Sequence, residues 1–168
     1  MEANINEANY SNLALIKEMA EDIWPQYYGE IISMEQIHFM LSKLYNIDAL
    51  AEAKRNGERF FIIYKGADPI GYFSIMPLAN NEQIFKLPKL YLYPAYRGKG
   101  FGAQMLAFAE NEAKKMGATE LTLNVNRNNP SFEFYKKRGY AVAETVDIPF
   151  GSYYLNDYVM IKKLSNSV

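Results

Sequence analysis

Arg97-Gly98-Lys99-Gly100-Phe101-Gly102 stands between the apolar run Leu90-Tyr91-Leu92 and an amphipathic segment, so this stretch is expected to join a strand to a helix. Glycines at alternate positions leave backbone N–H groups uncovered by side chains, and the N-terminus of the helix adds about half a positive charge. Arg97 and Lys99 add two full charges. The stretch therefore predicts a binding site for a pyrophosphate group.

Two common phosphate-binding motifs do not fit this turn. A P-loop requires Gly-Lys followed by Ser or Thr, but Lys99 is followed by Gly100, so no hydroxyl is available to hold magnesium. The dinucleotide fingerprint G-x-G-x-x-G requires an acidic residue at the end of the next strand. Here the spacing is G-x-G-x-G and the next predicted strand ends at Val125. The turn is thus neither a triphosphatase loop nor a dinucleotide site.

The turn resembles the acyl-CoA site of the GNAT superfamily of N-acyltransferases, whose motif R/Q-x-x-G-x-G/A is matched by Arg97, Gly100 and Gly102. Residues 128–140 are similar to the second motif of this family, N-x-x-A-x-x-F-Y-x-x-x-G-F, with Ser131 in place of the usual alanine. The two regions follow the family order. Residues 24–40 and 147–164 resemble a bacterial subgroup that includes diamine and polyamine acetyltransferases.

The composition fits a single domain over residues 1–168, with a frayed tail at 165–168. The net charge of −1 and the lack of basic blocks argue against a nucleic-acid partner, and no apolar run approaches the roughly 18 residues of a membrane span. The chain has no cysteine and one histidine, so we expect no disulfide, no thiol nucleophile and no metal. A cytoplasmic protein without membrane partners is expected.

Hydrophobic periodicity predicts alternating helices and strands. The expected fold is mixed α/β, a GNAT-like twisted sheet of six to seven strands flanked by four to five helices. Residues 24–29 are expected to form a loop, Ser33 and Gln36 a capping box, and Gly117 the end of the central helix. Helices are predicted at 9–22, 33–45, 101–116 and 130–138, and strands at 60–64, 70–75, 84–93, 121–125, 140–148 and 153–164.

The family resemblance implies acetyl-CoA as cosubstrate and assigns residues to it. The strand before the turn would align the pantetheine arm through its backbone, and the family places a bulge there, which makes the N–H of Leu92 the group expected to polarise the thioester carbonyl. Asn128 matches the family asparagine that contacts the arm, although Asn before Asn-Pro is also a common turn residue. The implied cofactor-binding residues are Leu90, Tyr91, Leu92, Arg97, Gly98, Lys99, Gly100, Phe101, Gly102 and Asn128.

Tyr135 is the expected catalytic residue, because the tyrosine of this motif lies near the cofactor sulfur in family members. A phenol has a pKa of about 10 and a thiol a pKa of about 8.5, so proton transfer from the phenol to a departing thiolate is only somewhat unfavourable. The alternative is that Tyr135 is an aromatic packed on its helix. The family often places a glutamate on the strand before the turn as general base, but this strand offers Lys86 and Lys89. A water chain, or one of Glu30, His38, Asp147 and Asp157, is left to act as the base.

The acceptor is expected to be the primary amine of a small molecule or peptide. Aromatic faces and carboxylates hold an ammonium group by cation–π and charge pairing. The alternative is that the tyrosines proposed for this role, which are Tyr27, Tyr28, Tyr153 and Tyr154, pack in the core or in a homodimer contact at the last hairpin. A catalytically idle acyl-CoA sensor, a protein or peptide N-terminal acetyltransferase and an interaction domain are alternative functions. The predicted acceptor residues are Tyr27, Tyr28, Asp147 and Tyr154, together with Tyr153 and Asp157.

Overall fold

Seven strands and five helices make up the computed structural model, which describes residues 3–164. The strands are β1 (Asn4–Glu7), β2 (Arg59–Lys65), β3 (Asp68–Leu78), β4 (Asn81–Leu92), β5 (Glu120–Asn126), β6 (Ala141–Phe150) and β7 (Tyr153–Lys163). The helices are α1 (Leu13–Tyr28), α2 (Met34–Leu44), α3 (Ile47–Arg55), α4 (Phe101–Lys115) and α5 (Ser131–Lys137). The predicted mixed α/β fold is confirmed; the predicted tail at 165–168 lies outside the described residues.

The strands form one sheet in the order β1-β2-β3-β4-β5-β7-β6. Side chains alternate between the two faces, so each face has its own core. On β2, Phe60 and Ile62 pack with α1, α2 and α3, whereas Phe61 and Ile63 pack with α4 and α5. The two helical layers therefore lie on opposite faces of the sheet. Within residues 3–164, no helix is long and apolar enough to cross a membrane.

An opening between β4 and β5 interrupts the sheet near its centre. These two parallel strands pair only where Ile84–Lys86 lies against Glu120–Thr122. Beside this pairing, β4 carries one extra residue relative to β3, because Ser74 opposes Lys89 while Met76 opposes Lys86. This bulge at Leu87–Pro88 reverses the alternation of side chains along β4. The strands beyond it are unpaired with each other, which leaves room for a ligand.

Helix α1 differs from the prediction because it continues through Pro25 to Tyr28, so residues 24–28 are helical and not a loop. An internal proline costs about 3 kcal/mol through its missing N–H and its steric clash. Trp24 is buried, and both tyrosines at the end of the helix pack against Tyr91 of β4. Burial of these large rings outweighs the cost of the proline.

Strand β1 and helix α3 were not predicted, and the capping box at α2 is formed in one direction. Ser33 Oγ accepts from the N–H of Gln36 at 3.1 Å, as predicted, and caps the helix. The side-chain amide of Gln36 instead donates to Met40 Sδ at 3.9 Å. Gly117 directly follows the C-cap of α4 with φ 95°, a left-handed conformation that ends the helix as predicted.

Candidate active site

A cavity of about 510 Å³ lies beside the opening between β4 and β5 and brings the two sequence motifs together. Several predicted site residues line it: Tyr27, Leu90, Leu92, Arg97, Gly98, Gly100, Gly102 and Tyr135. It is also lined by residues that sequence reasoning did not select, namely Ala103, Asn129, Pro130, Ser131, Phe134 and Arg138. Most of these belong to the second motif, which was the available signal for them.

The glycine turn forms one end of the cavity. Gly98 and Gly100 have φ of 73° and 90°, a left-handed conformation that side chains with a Cβ rarely adopt. Gly100 is the N-cap of α4, and the first intrahelical bond runs from Gln104 N to Gly100 O. The amides of residues 101–103 therefore have no acceptor within their own helix and can bind an anion. Phe101 contributes only its amide, because its side chain is buried in the core.

Gly102 allows α5 to approach the turn closely. A Cβ at this position would lie 3.3 Å from Phe134, closer than most such contacts, so a larger residue would push the two helices apart. Arg138, at the end of α5, stacks 4.0 Å over the Phe134 ring and donates to the Phe134 carbonyl at 3.1 Å. Arg138 thus adds a second cation to the cavity wall, whereas Lys99 is exposed and does not line the cavity.

Arg97 connects the turn to two other walls of the cavity. Its guanidinium lies 4.6 Å over the ring of Tyr27 and donates to the carbonyl of Leu92 at 3.4 Å. The Nε atom is buried and has no hydrogen-bond partner among residues 3–164. An unpartnered buried donor is costly, so an anionic ligand would satisfy it. These cations, the free amides and the cavity fit the pyrophosphate and arm of acetyl-CoA.

The backbone of Leu92 faces the opening between β4 and β5. Tyr93 N donates to Ile70 O of β3 at 2.9 Å, and successive N–H groups along a strand point in opposite directions. The N–H of Leu92 therefore points away from β3, as a contact with a thioester carbonyl requires; that contact stays a prediction. The bulge expected on this strand lies at Leu87–Pro88.

Tyr135 lies on α5 with 7% of its surface exposed, at the wall of the cavity. Burial raises the pKa of Tyr135 well above the usual tyrosine value, and the nearby hydroxyl of Tyr27 raises it further. The phenol is therefore protonated throughout the neutral range, and the same shift makes it a weaker acid toward a departing thiolate than an ordinary tyrosine. Tyr27 itself hydrogen-bonds to Ser131, so the residue that replaces the family's alanine joins α1 to α5 across the cavity.

The remaining predicted residues are not all brought to the cavity. Asn128 is exposed, and its neighbour Asn129, which is buried, lines the cavity instead and accepts from Ser131 N at 2.9 Å. This arrangement arises because Asn128 N bonds to the side chain of Asn126 at 2.9 Å and closes a turn. The role of Asn128 at the cofactor stays a prediction that this position does not favour.

The four predicted acceptor residues do not form one cluster. Tyr28 lies behind the cavity wall, where its hydroxyl and that of Tyr91 are 2.8 Å apart. Burial raises the pKa of both phenols, so neither is charged at neutral pH. Asp147 is 61% exposed and paired with Arg127, and Tyr154 is 60% exposed; neither borders the cavity.

The tip of the β6–β7 hairpin is attached to α2. The ring of Phe39 contacts Phe150 at 5.6 Å and Tyr153 at 5.5 Å between centroids. Gly151 fits against the same ring, because a Cβ there would lie 2.4 Å from it. The hairpin tip and α2 thus border the face of the sheet opposite α4 and α5.

Arg97→Ala is expected to weaken acetyl-CoA binding roughly 10-fold, because it removes one charge-assisted hydrogen bond of about 1.5 kcal/mol. Lys99→Ala is the matched control; its side chain is exposed and screened, so we expect less than about a threefold change. Isothermal titration calorimetry of both variants measures the two affinities. Equal effects of the two substitutions would contradict a direct role for Arg97.

Comparison with known proteins agrees with this geometry. The family model described as Acetyltransferase (GNAT) family matches residues 16–140. The spermidine N(1)-acetyltransferase of Thermoplasma acidophilum is 30% identical over 169 residues, which cover 97% of this chain and 98% of that protein. An aminoalkylphosphonate N-acetyltransferase of Salmonella typhimurium is 41% identical over 65 residues, covering 38% of this chain and 42% of that protein.

Solved structures show the same fold. The paia N-acetyltransferase of Thermoplasma acidophilum in complex with coenzyme A superposes with a TM-score of 0.81 at 30% identity, covering 97% of this chain and 99% of that chain. The yncA protein of Salmonella typhimurium, solved with its cofactor acetyl-CoA, has a TM-score of 0.68 at 17% identity and supports the fold alone; the match covers 100% of this chain and 97% of that one. The chain therefore belongs to the GNAT family of acetyltransferases and is an acetyl-CoA-dependent N-acetyltransferase.

Proposed function

We propose that this enzyme acetylates a primary amine of a small polyamine-like molecule by direct attack in a ternary complex. The observation that carries the proposal is the single cavity that joins the anion-binding turn, the free backbone of Leu92 and the buried phenol of Tyr135. The full-length similarity to a spermidine N(1)-acetyltransferase supports a polyamine as the acceptor. Fold alone does not determine a substrate, so the acceptor class rests on that relative and on the chemistry of the site.

The residues of the chain divide the work between binding and proton transfer. Acetyl-CoA supplies an activated thioester when bound. The amides of residues 101–103 and the guanidinium of Arg97 would hold its pyrophosphate. The N–H of Leu92 would stabilise negative charge on the carbonyl oxygen. Tyr135 would donate its proton to the departing sulfur.

Direct transfer requires both substrates to be bound together. The chain has no cysteine to carry the acyl group on a thiol, and a direct reaction needs only positioning of the amine against the thioester. The acceptor would reach the opening from the face of the sheet bordered by α2 and the β6–β7 hairpin, opposite the helix that carries Tyr135. The amine and the proton donor would thus reach the reacting atoms from opposite sides.

A catalytically idle acyl-CoA sensor is the second candidate, and one observation favours it. Lys89 replaces an acidic residue on β4 and is itself engaged, because its Nζ lies 2.6 Å from the buried carboxylate of Glu58. Ser74 also donates to Glu58 at 2.6 Å, which fixes this ion pair under the α1–α3 layer. Glu58 is therefore a structural partner, and the one acidic residue of β4, Glu82, is exposed at the start of the strand, before the stretch that pairs with β5.

Thiol release from acetyl-CoA tests the two candidates. A panel of spermidine, spermine, diamines, amino sugars and short peptides with free amines is compared, and we expect saturable release with the polyamines. Preference for peptide N-termini would replace the proposal by a protein or peptide N-terminal acetyltransferase. Saturable acetyl-CoA binding without release for any acceptor would favour the sensor.

A further inference from the structure

The structure distinguishes among the four side chains that the sequence leaves as candidates for the proton acceptor, which are Glu30, His38, Asp147 and Asp157. Glu30 is exposed in the turn after α1. His38 lines a separate groove between α1 and α2, together with Lys17 and Ser42. Asp147, exposed on the edge strand, is paired with a cation as described above. Of the four side chains, Asp157 is on the strand nearest to the opening, because β7 lies next to β5 and Asp147 is one strand further out on β6.

Asp157 lies on β7 at the level of the opening. It pairs in register with Asn126, the last residue of β5. The parallel register of Lys86 with Thr122, extended along both strands, carries Asn126 to the level of Leu90 and the residue after it on β4. Asp157 is therefore level with the unpaired part of β4 and β5, on the far side of β5 from the opening, at the height where Leu90 lines the cavity; Asp157 does not itself line that cavity.

The side chain of Asp157 is on the face of the sheet that packs against α1–α3, from which the acceptor is proposed to approach. Alternation along β7 places it with Leu155, which packs against the α1–α3 core. Its neighbour Tyr158 faces the other way and contacts Phe132 on α5 at 5.2 Å between ring centroids. Asp157 and Tyr135 thus belong to opposite faces of the sheet, on either side of the opening.

The surroundings of Asp157 distinguish it from the other acids near the site. Asn124 of β5 donates a hydrogen bond to the Asp157 carboxylate at 3.5 Å. Asp157 makes no ion pair with any residue in the described range 3–164. Burial raises the pKa of Asp157, while Asn124 and the cations Lys86 and Arg127 counteract part of this rise. A half-buried carboxylate that makes no direct ion pair can stabilise the positive charge that develops on a neutral amine nitrogen as it bonds to the acyl carbon.

We propose that Asp157 is the proton acceptor of the transfer reaction and takes the proton released by the acceptor nitrogen. This inference rests on the proposed function. The C–N bond forms and the C–S bond breaks; the proton on nitrogen moves to the Asp157 carboxylate, and sulfur receives the Tyr135 proton. Both side chains then return to their starting states by proton exchange with water. The net result is that one acetyl group replaces one proton on the nitrogen and the sulfur leaves as a thiol.

The chemistry suits a carboxylate at this point. Nitrogen becomes a much stronger acid as it bonds to the acyl carbon, so a weak base placed beside it is sufficient. A carboxylate whose pKa is raised is a stronger base than an exposed one. Lys86 and Arg127 limit this rise in pKa, because their positive charges favour the ionised carboxylate.

Asp157→Asn tests the assignment, with Glu144→Gln as control. Glu144 is exposed on β6 opposite Val159, in the same hairpin, and takes no part in the site. We expect Asp157→Asn to lower kcat roughly 100-fold, with the acetyl-CoA affinity measured by calorimetry unchanged. Wild-type kcat/KM should fall as pH drops through the pKa of Asp157, because the base must be deprotonated, and the variant should lose this decline. Glu144→Gln should match the wild type.

Chemical rescue separates a base from a structural side chain. Asp157→Ala leaves space for a small carboxylate, so added formate is expected to restore turnover in a saturable manner, whereas it should not accelerate the Asn variant. An unchanged kcat in Asp157→Asn, or a higher KM for the acceptor at unchanged kcat, would overturn the inference, the latter by assigning the residue to acceptor binding. Lack of thiol release by the wild type with every acceptor would overturn the proposed function instead.

Discussion

Gly100→Val is expected to lower acetyl-CoA affinity roughly 1,000-fold while the protein stays folded. Gly100 has φ 90°, which a β-branched residue resists at a cost of about 1–2 kcal/mol, so the turn would relax toward negative φ. That movement would redirect the first amides of α4, and losing two charge-assisted hydrogen bonds of about 2 kcal/mol each corresponds to the expected change. Calorimetric titration with acetyl-CoA measures the affinity, and circular dichroism measures the fold.

Gly117→Val is the matched control, because it places the same strain at the other end of α4. Gly117 has φ 95°, and like Gly100 it has no atom within 4 Å of a built Cβ. Both variants should therefore lose about 1–2 kcal/mol of stability, roughly 3–6 °C in Tm. We expect Gly117→Val to bind acetyl-CoA like the wild type. Retained affinity in Gly100→Val, or an equal loss in both variants, would disprove the assignment of the turn.

Most of the fold could be predicted because most elements bury one face of a regular pattern. Leu121, Leu123 and Val125 alternate with polar residues and form β5, and the apolar stripe of 101–116 forms α4. Strand β1 has the sequence Asn-Ile-Asn-Glu and becomes a strand only by pairing with β2. Helix α3 buries Leu50 alone and begins at Asn46, whose side chain accepts from Ala49 N at 2.8 Å. Strand β1 thus has no apolar pattern of its own, and the apolar positions of α3 at i, i+3 and i+4 spacing, which are Ile47, Leu50 and Ala51, span little more than one helical turn.

The site was predictable where motifs specify backbone geometry and not where tertiary packing decides. The turn at 97–102 has positive φ angles at Gly98 and Gly100, a conformation that favours glycine. Asn129 lines the cavity in place of the predicted Asn128 because the backbone N–H of Asn128 bonds to Asn126 and closes a turn. Motif spacing does not reveal this hydrogen bond. Tyr27 reaches the cavity because α1 continues through Pro25, and the sequence indicated a loop there. The accessibility of Asp157 depends on strand register across β5 and β7.

Arg97 and Tyr27 couple the two halves of the site. The guanidinium that would meet the pyrophosphate also stacks on Tyr27, and Tyr27 is bonded to Ser131 at the start of α5. The helix that carries Tyr135 is therefore positioned by the same contacts that position the anion-binding cation. A ligand that moves Arg97 would change the surroundings of Tyr135, so acetyl-CoA binding and the proposed proton donation would be linked through packed side chains.

Tyr135→Phe is expected to lower kcat roughly 1,000-fold and to leave acetyl-CoA affinity within about twofold, because it removes one proton and keeps the ring. The loss should appear in kcat and kcat/KM equally, as for a group that acts only in the transition state. Because burial raises the pKa of Tyr135 beyond the range of an ordinary tyrosine, wild-type activity should show no decline from this group below pH 10.

Tyr140→Phe is the control for Tyr135→Phe, since the two rings are 5.8 Å apart and both are buried in the same core. The Tyr140 hydroxyl donates to Glu110 at 2.7 Å, outside the residues that line the cavity. Its removal should cost about 1–2 kcal/mol of stability and leave kcat unchanged. Steady-state thiol release and thermal unfolding of both variants distinguish the roles. Full turnover in Tyr135→Phe would remove the phenol from the reaction, because its ring would then serve only the packing of α5.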